Sequence, residues 1–549
     1  MFVPALSSDI FILYRQISKN RSINNIAMKQ PKLTIPAMAA LLVAALAACS
    51  GDDDLQVEFE VSPLEKEYTL SVETAKGIGV VVGDLQSQTR ALTQSGSTLN
   101  ASWATTDRVY VQKGGTWATG SLQPQTAGAT ATLKGSLTGV TIAVDDVLTL
   151  QFPKSGTPDY SGQKGTLEDI AANYDYATAT ATVWAVSANG MVAADAATFT
   201  NQQAILKFSL MNSGGTAISA SALSVQVDGT PYAVVPASAA SEIYVAVPGF
   251  SSKKVELFAK VGNNWYSYEK TGITFANGQY YTIAVKMSQT GTLPGKFSVG
   301  ESSTVRFSQG NLQATYNGSA WSWAFAANQY DYIGNATANT AITGDGTVST
   351  NGTVDLFGWS TSSTTYGIHN STNYSTYSGD FRDWGVNAIS NGGNEANAYS
   401  TPSTSHWQYL FNTRSASTVC GTANARFAKA YLFGTKHGVI LFPDHYTHPD
   451  GVAAPTGIND TSNTSWNDNQ YSAADWAKME AAGAVFLPAA GGRYGSGVYL
   501  VGDYGYYWSS TANSGDYAWG VLFVNDNLLA GNGLYRGSGY SVRLVRNAN

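Results

Sequence analysis

The run Ala204-Ile205-Leu206-Lys207-Phe208-Ser209-Leu210 reads as a β-strand. Apolar side chains dominate it, and Lys207 and Ser209 interrupt them with the period of two that one buried face requires. Working outward, the same kind of segment recurs at Arg108-Val109-Tyr110-Val111, Ile243-Tyr244-Val245-Ala246-Val247 and Tyr280-Tyr281-Thr282-Ile283-Ala284-Val285. Gly/Ser/Asn turns separate these runs, and no long stretch between them carries a helical period. Residues 65–287 are therefore expected to be all-β, as two stacked sandwiches.

Composition agrees with a β-rich exported protein. Of the 549 residues, 13% are charged, the net charge is −7, and Gly (55) and Tyr (31) are abundant. Several domains are expected at about 150 residues each. No basic stripe exists, so nucleic acid is not an expected partner.

Residues 288–296, Ser288-Gln289-Thr290-Gly291-Thr292-Leu293-Pro294-Gly295 with the residue after it, read as a linker. The second domain, 297–549, is dense in tryptophan and has two expected helices. One spans Ser405 to Asn412. The other spans Ala473 to Ala482 behind a Ser472 N-cap, with Trp476 and Met479 at i, i+3. Short strands and long loops make up the rest, an α+β pattern.

The N-terminus reads as an address. Residues 1–27 precede a better start at Met28 and are set aside as a mis-called extension. Met28-Lys29-Gln30-Pro31-Lys32, the apolar run Leu33 to Ala45, and Leu46-Ala47-Ala48-Cys49 follow the order of a secretory signal, 28–48. The apolar run is too short to span a bilayer, which takes about 20 residues. Its end resembles the lipobox of bacterial lipoproteins, which implies lipidation at Cys49 and a tether over 49–64. Ser50-Gly51-Asp52-Asp53-Asp54 resembles the acidic signal that sends lipoproteins to the outer face of the outer membrane. Maturation then leaves one cysteine, Cys420, which cannot form an internal disulfide and is expected to be a buried thiol.

Two further resemblances cover the remainder. Thr89-Arg90-Ala91, Trp103 with Asp107-Arg108-Val109, Gly165-Thr166-Leu167-Glu168-Asp169-Ile170, Tyr174-Asp175-Tyr176 and Gly278-Gln279-Tyr280-Tyr281 resemble the fimbrillin family. That implies transthyretin-type sandwiches, a role in or derived from fimbriae, fimbrial subunits as partners, and processing at Arg90. Val305-Arg306-Phe307-Ser308-Gln309-Gly310-Asn311-Leu312, Asp355-Leu356-Phe357-Gly358-Trp359, Tyr506-Tyr507-Trp508-Ser509-Ser510-Thr511 and Gly539-Tyr540-Ser541-Val542-Arg543-Leu544-Val545 resemble the Fib-succ-major paralogous family. They are also similar to the variable proteins of diversity-generating retroelements. Both imply a C-type-lectin fold that displays a ligand-binding face.

Between those framework runs lie segments rich in Tyr, Asn, Asp, Gly and Ser, the residues that antibody-like paratopes use. The candidate contacts are Tyr494, Ser496, Tyr499, Asp503, Tyr504, Tyr506, Asp526, Asn527 and Tyr535. The alternative is that they are solvated turns with some Tyr packed inward.

Other motifs look like chemistry and are read otherwise. His448-Pro449-Asp450 and Trp466-Asn467-Asp468 echo calcium motifs of animal lectins but are taken as exposed loops. His437, His445 and His448 are taken as satisfied or solvated rather than zinc-binding. No nucleophile elbow, His-Glu-x-x-His or phosphate loop is present, and formylglycine-type chemistry would need a second cysteine. No cofactor and no metal are expected, and the chain is not expected to be an enzyme. The expectation is a surface lipoprotein adhesin of the outer membrane, held by its lipid, with an unknown protein or glycan ligand. The rivals are a purely structural fimbrial subunit and a surface glycan-processing enzyme.

Overall fold

In a computed structural model of the chain, the described residues are 67–77, 92–95, 98–334, 337–343 and 352–548. Cys49, Arg90, the signal segment and the tether lie outside them. The chain is mostly β, in three successive assemblies.

The first is a ten-stranded sheet that includes Tyr68–Gly77, Thr130–Thr138, Val147–Phe152, Ala177–Val186 and Ala197–Asn201. Ala177–Val186, ATATATVWAV, shows why it forms. Ala177, Ala179, Ala181 and Val183 point into the core with Leu148, Leu150 and Phe199, while Thr178, Thr180, Thr182 and Trp184 point out. Threonine's β-branched side chain suits a strand and keeps the outer face wet.

The second assembly is a seven-stranded sheet curled around one core. Its centre is Gln203–Asn212, paired antiparallel with Glu242–Pro248 and parallel with Tyr280–Gln289. Leu206, Phe208 and Leu210 are fully inside, each burial being worth about 1.5–3 kcal/mol. One short helix, Leu167–Asn173, is capped by Thr166, whose hydroxyl accepts from the Asp169 N–H at 3.1 Å. It lays Ile170 and Ala171 on this core.

The third assembly holds short strands, turns and both expected helices. Thr404–Gln408 is α-helical and continues as a π-helical turn over Tyr409–Thr413. Ala473–Ala481 begins at Ser472, which exchanges hydrogen bonds with Asp475 as a capping box.

The expected linker is not a free spacer. Thr290, Thr292 and Leu293 are buried, because the Thr290 N–H donates to the Trp265 carbonyl (2.8 Å) and the Leu293 N–H to that of Phe307 (2.9 Å). Strand Ala222–Val227 shows how the neighbours join, since both of its faces are buried. Leu223 and Val225 enter the sandwich core, whereas Ala222 packs into a cluster of the third assembly with Phe486 and Met479. At the seam Lys260 and Glu480 pair at 2.8 Å, both largely buried. Burial works against the Lys260 charge, but Glu480 outweighs it and holds its pKa above the usual lysine value. Among the described residues no helix is long and apolar enough to cross a membrane.

Candidate functional site: a tyrosine face

Strands Gly505–Ala512, Tyr517–Val524 and Asn527–Tyr535 form an antiparallel sheet, and Gly492–Tyr494 pairs with Gly497–Tyr499 beside it. Tyr517 lies opposite Tyr535 in the register. Their rings meet edge to face at 6.0 Å, and the Tyr494 ring reaches Tyr535 at 6.2 Å. The Tyr535 hydroxyl donates to the Thr372 carbonyl at 2.6 Å, which brings in the turn Tyr374–Tyr377. Tyr374, Tyr494 and Tyr517 are 44, 52 and 47% exposed. Large aromatic surfaces left in water side by side are uncommon on a monomer.

The support beneath them is rigid. Arg536 stacks on Trp359 at 4.3 Å and donates to the carbonyls of Tyr517 (3.0 Å), Asn513 (3.3 Å) and Tyr377 (3.4 Å). Buried Arg493 donates to the Gly495 carbonyl at 2.9 Å and bonds Tyr377. The Tyr377 hydroxyl serves the carbonyls of His369 and Ser371, and burial pushes its pKa up to about 12. Three chain segments distant in sequence are thus held by guanidinium and phenol donors, so the rings stand on an ordered backbone. The Tyr535 pKa is raised, by what burial it has and then by Tyr494 and Asp516.

The nine expected contacts do not form one face. Tyr494 and Tyr535 belong to the cluster, and exposed Ser496 lies in the hairpin turn beside them. Tyr499 is exposed on the returning strand of that hairpin. Asp503 is exposed in the next turn. Tyr504 and Tyr506 stack at 5.7 Å, and Tyr506 stacks on Tyr540 at 4.5 Å, leading down to Trp508. Tyr506 is half-buried, and burial pushes its pKa up to about 12. Its ring packs more than it displays. Asp526 and Asn527 sit at the turn between the last two strands, eight residues and about 26 Å from Tyr535 along an extended strand. Tyr374 and Tyr517 were missed. The Tyr517–Tyr535 pairing could have been found from the hairpin register, but Tyr374 arrives from a distant loop that no local pattern links to it.

Other expectations meet their geometry as well. Cys420 is exposed at a turn with positive φ, not buried. Trp466 is buried and stacks on His437 at 5.7 Å, and Asp468 caps its own turn by accepting from the Ser465 N–H at 2.7 Å. In the lectin-like Trp466-Asn467-Asp468, Trp466 is anchored in the core, while Asn467 and Asp468 are exposed as expected. His437 Nδ1 bonds the Gly502 carbonyl (2.7 Å), and His448 Nε2 bonds those of Val452 and Ala453. Among the described residues no group of three or more His, Cys, Asp or Glu side chains is arranged to hold a metal ion.

No protein-family model matches the chain, and no curated protein matches it. Among solved structures it is similar to a candidate cell adhesion protein of Bacteroides ovatus, at 15% identity over 41% of this chain and 96% of that one, TM-score 0.26. A fimbrial protein of Bacteroides ovatus aligns at 9% identity over 88% of this chain and 100% of that one, TM-score 0.20. A candidate cell adhesion protein of Bacteroides uniformis aligns at 13% identity over 40% and 96%, TM-score 0.23. With every TM-score far below one half, the functional case rests on the site itself.

Proposed function

We propose that the protein is a lipid-anchored adhesin of the outer membrane whose C-terminal part, a C-type-lectin-like domain, captures a protein or glycan ligand. The observation that carries this reading is the pair of exposed rings Tyr494 and Tyr517 around half-buried Tyr535, with exposed Tyr374 on the adjoining turn, all on a framework braced by Arg493 and Arg536. Rigid tyrosines offer wide amphipathic contact at little entropic cost, and a pre-ordered backbone removes the ordering penalty that weakens loop-borne sites. The fimbrillin-like sandwiches act as the stalk that carries this face away from the anchor.

The test uses the full chain on glycan and surface-protein arrays. Joint replacement Tyr374→Ser, Tyr494→Ser and Tyr517→Ser is expected to lower capture by about a hundredfold or more, each lost hot-spot ring costing about 1–2 kcal/mol. Melting temperature should hold, because these rings are solvent-facing. Unchanged capture, or absence of any array ligand for the wild type, sinks the reading and favours a structural fimbrial subunit.

A further inference from the structure

The first sheet has two unlike ends. Its register brings the start of Tyr68–Gly77, the start of Val147–Phe152, the end of Ala177–Val186 and the start of Met191–Ala194 to one end. The pairs Thr69 with Met191, Tyr68 with Leu137 and Thr182 with Val147 define it. The chain comes in here, at Glu67. It leaves for the second assembly at Asn201, at the other end, where Gly77 pairs with Thr200 and Ala177 with Asn201. From Thr69 to Gly77 the ends are about 26 Å apart.

The end where the chain comes in carries four exposed apolar side chains. Trp184 is 63% exposed, the only tryptophan among the described residues that faces solvent outright, and Val144, Val147 and Met191 are each half exposed or more. They lie on neighbouring elements: Val147 starts the strand paired with the one bearing Trp184, and the Val144 turn is bonded to it through the Asp145 N–H and the Val183 carbonyl (2.8 Å). No packing need of the fold explains them, since the core of this sheet is already closed by Leu148, Leu150 and Val183.

The charges at this end lean acidic. Lys113 and Asp146 pair at 2.6 Å, Asp145, Asp195 and Glu67 are exposed, and Lys134 is exposed opposite Ser71. With acidic groups in excess of basic ones, a surface that meets this tip is bound through apolar insertion, not through attraction to anions. A tryptophan beside aliphatic side chains is the composition that settles at a bilayer's polar–apolar boundary.

We propose that this tip rests on a lipid surface with Trp184 inserted at the head-group level. The occupant follows from where the chain comes in. Glu67 stands eighteen positions after Cys49, so an acyl group at Cys49 lies within about 60 Å of the tip even with the intervening chain fully extended. The inference rests on the proposed lipid anchor and deepens it. A single lipid attachment leaves orientation free, whereas an added apolar contact stands the stalk on the membrane with its far end outward. The two together form a two-signal attachment.

The test reconstitutes the full mature chain into phosphatidylcholine vesicles whose acyl chains carry bromine, a quencher of indole fluorescence. Wild type should show a quenched fraction of tryptophan emission that disappears in Trp184→Ser, with the melting temperature of both unchanged. Equal quenching in the two overturns the proposal. So does a concentration-dependent dimer that Trp184→Ser abolishes without any change in quenching, which would show a second copy covering the tip. The anchor is read separately, from the mass of the mature N-terminus. If no acyl group is present there, the Cys49→Ser full chain is floated with the same vesicles. A five-fold or larger loss of flotation on adding Trp184→Ser then supports the tip contact by itself, and equal flotation overturns it.

Discussion

The two β-sandwich assemblies and the C-terminal assembly solve one problem in different ways. Every buried carbonyl needs a donor. In the sandwiches the donors are backbone N–H groups in long ladders, such as the eight-residue register between Gln203–Asn212 and Tyr280–Gln289. In the C-terminal assembly the strands are short and loops run through the interior, so side chains take over. Indole N–H groups of Trp359, Trp384, Trp407 and Trp508 donate to the carbonyls of Ser509, Tyr366, Trp508 and Phe357 at 2.6–3.2 Å. Arg414 donates to Phe442, Arg493 to Gly495 and Arg536 to Tyr517. Fully buried Arg543, its pKa pushed down to about 10 by desolvation, bonds the side chains of Asn311 and Gln329. The lesson is that loops can be as fixed as strands when large donors are buried beneath them. Such a fold leaves its short strands and turns free to display exposed tyrosines, as at Tyr374, Tyr494, Tyr499 and Tyr517.

The widest break in this comparison should come at Trp508. Trp508→Ala removes a filled volume and one of the two donors to the Phe357 carbonyl, leaving only the Tyr540 N–H, with an expected loss of about 4 kcal/mol in chemical denaturation. Leu206→Ala, its counterpart in the sandwich, should cost about 3 kcal/mol, a cavity alone. If both cost the same and Trp508→Phe costs nothing, the indole donor is not part of what holds the loops.

The seam between the two regions gives the next effect. Lys260→Met leaves Glu480 buried beside Gln329 without its cation and should cost about 3 kcal/mol. Adding Glu480→Leu should restore most of it. Additive losses in that double-mutant cycle would mean that the pair is not coupled.

The smallest effect is in acid. Burial opposes ionisation of Glu256, but Arg306, Lys254 and Lys296 outweigh it and hold its pKa below the ordinary carboxylate value. A folded pKa below the unfolded one adds stability above the usual carboxylate range, and that stability is lost as the pH falls through the folded value. Glu256→Gln should therefore flatten the decline of the denaturation midpoint below about pH 5. An unchanged slope would place the acid sensitivity elsewhere.

The strands were legible because alternation is local. The run from Ala204 to Leu210 shows its buried face, with Lys207 and Ser209 turned outward, and Ser472 marks a helix start. Burial of the 288–296 segment was not legible, since its Gly, Ser, Thr and Pro content reads as a linker whatever lies around it. Nor was exposure of Cys420, which depends on a turn geometry that composition does not reveal. For the site, the tyrosine-rich segments were visible, but their division was not. Two of the nine candidates fell at the opposite end of the sheet, because turn position in a hairpin, not residue type, decides which end a side chain occupies.

What this sequence determined by itself is what depends on neighbours a few residues apart: the mostly β class, the two helices and the Ser472 cap of the second. Only the tertiary structure decided which distant tyrosines meet, that Arg493 and Arg536 brace them, and that Val144, Val147, Trp184 and Met191 share one end of a sheet. Periodicity is written by near neighbours, whereas a surface is assembled from residues whose adjacency exists only after the chain has folded.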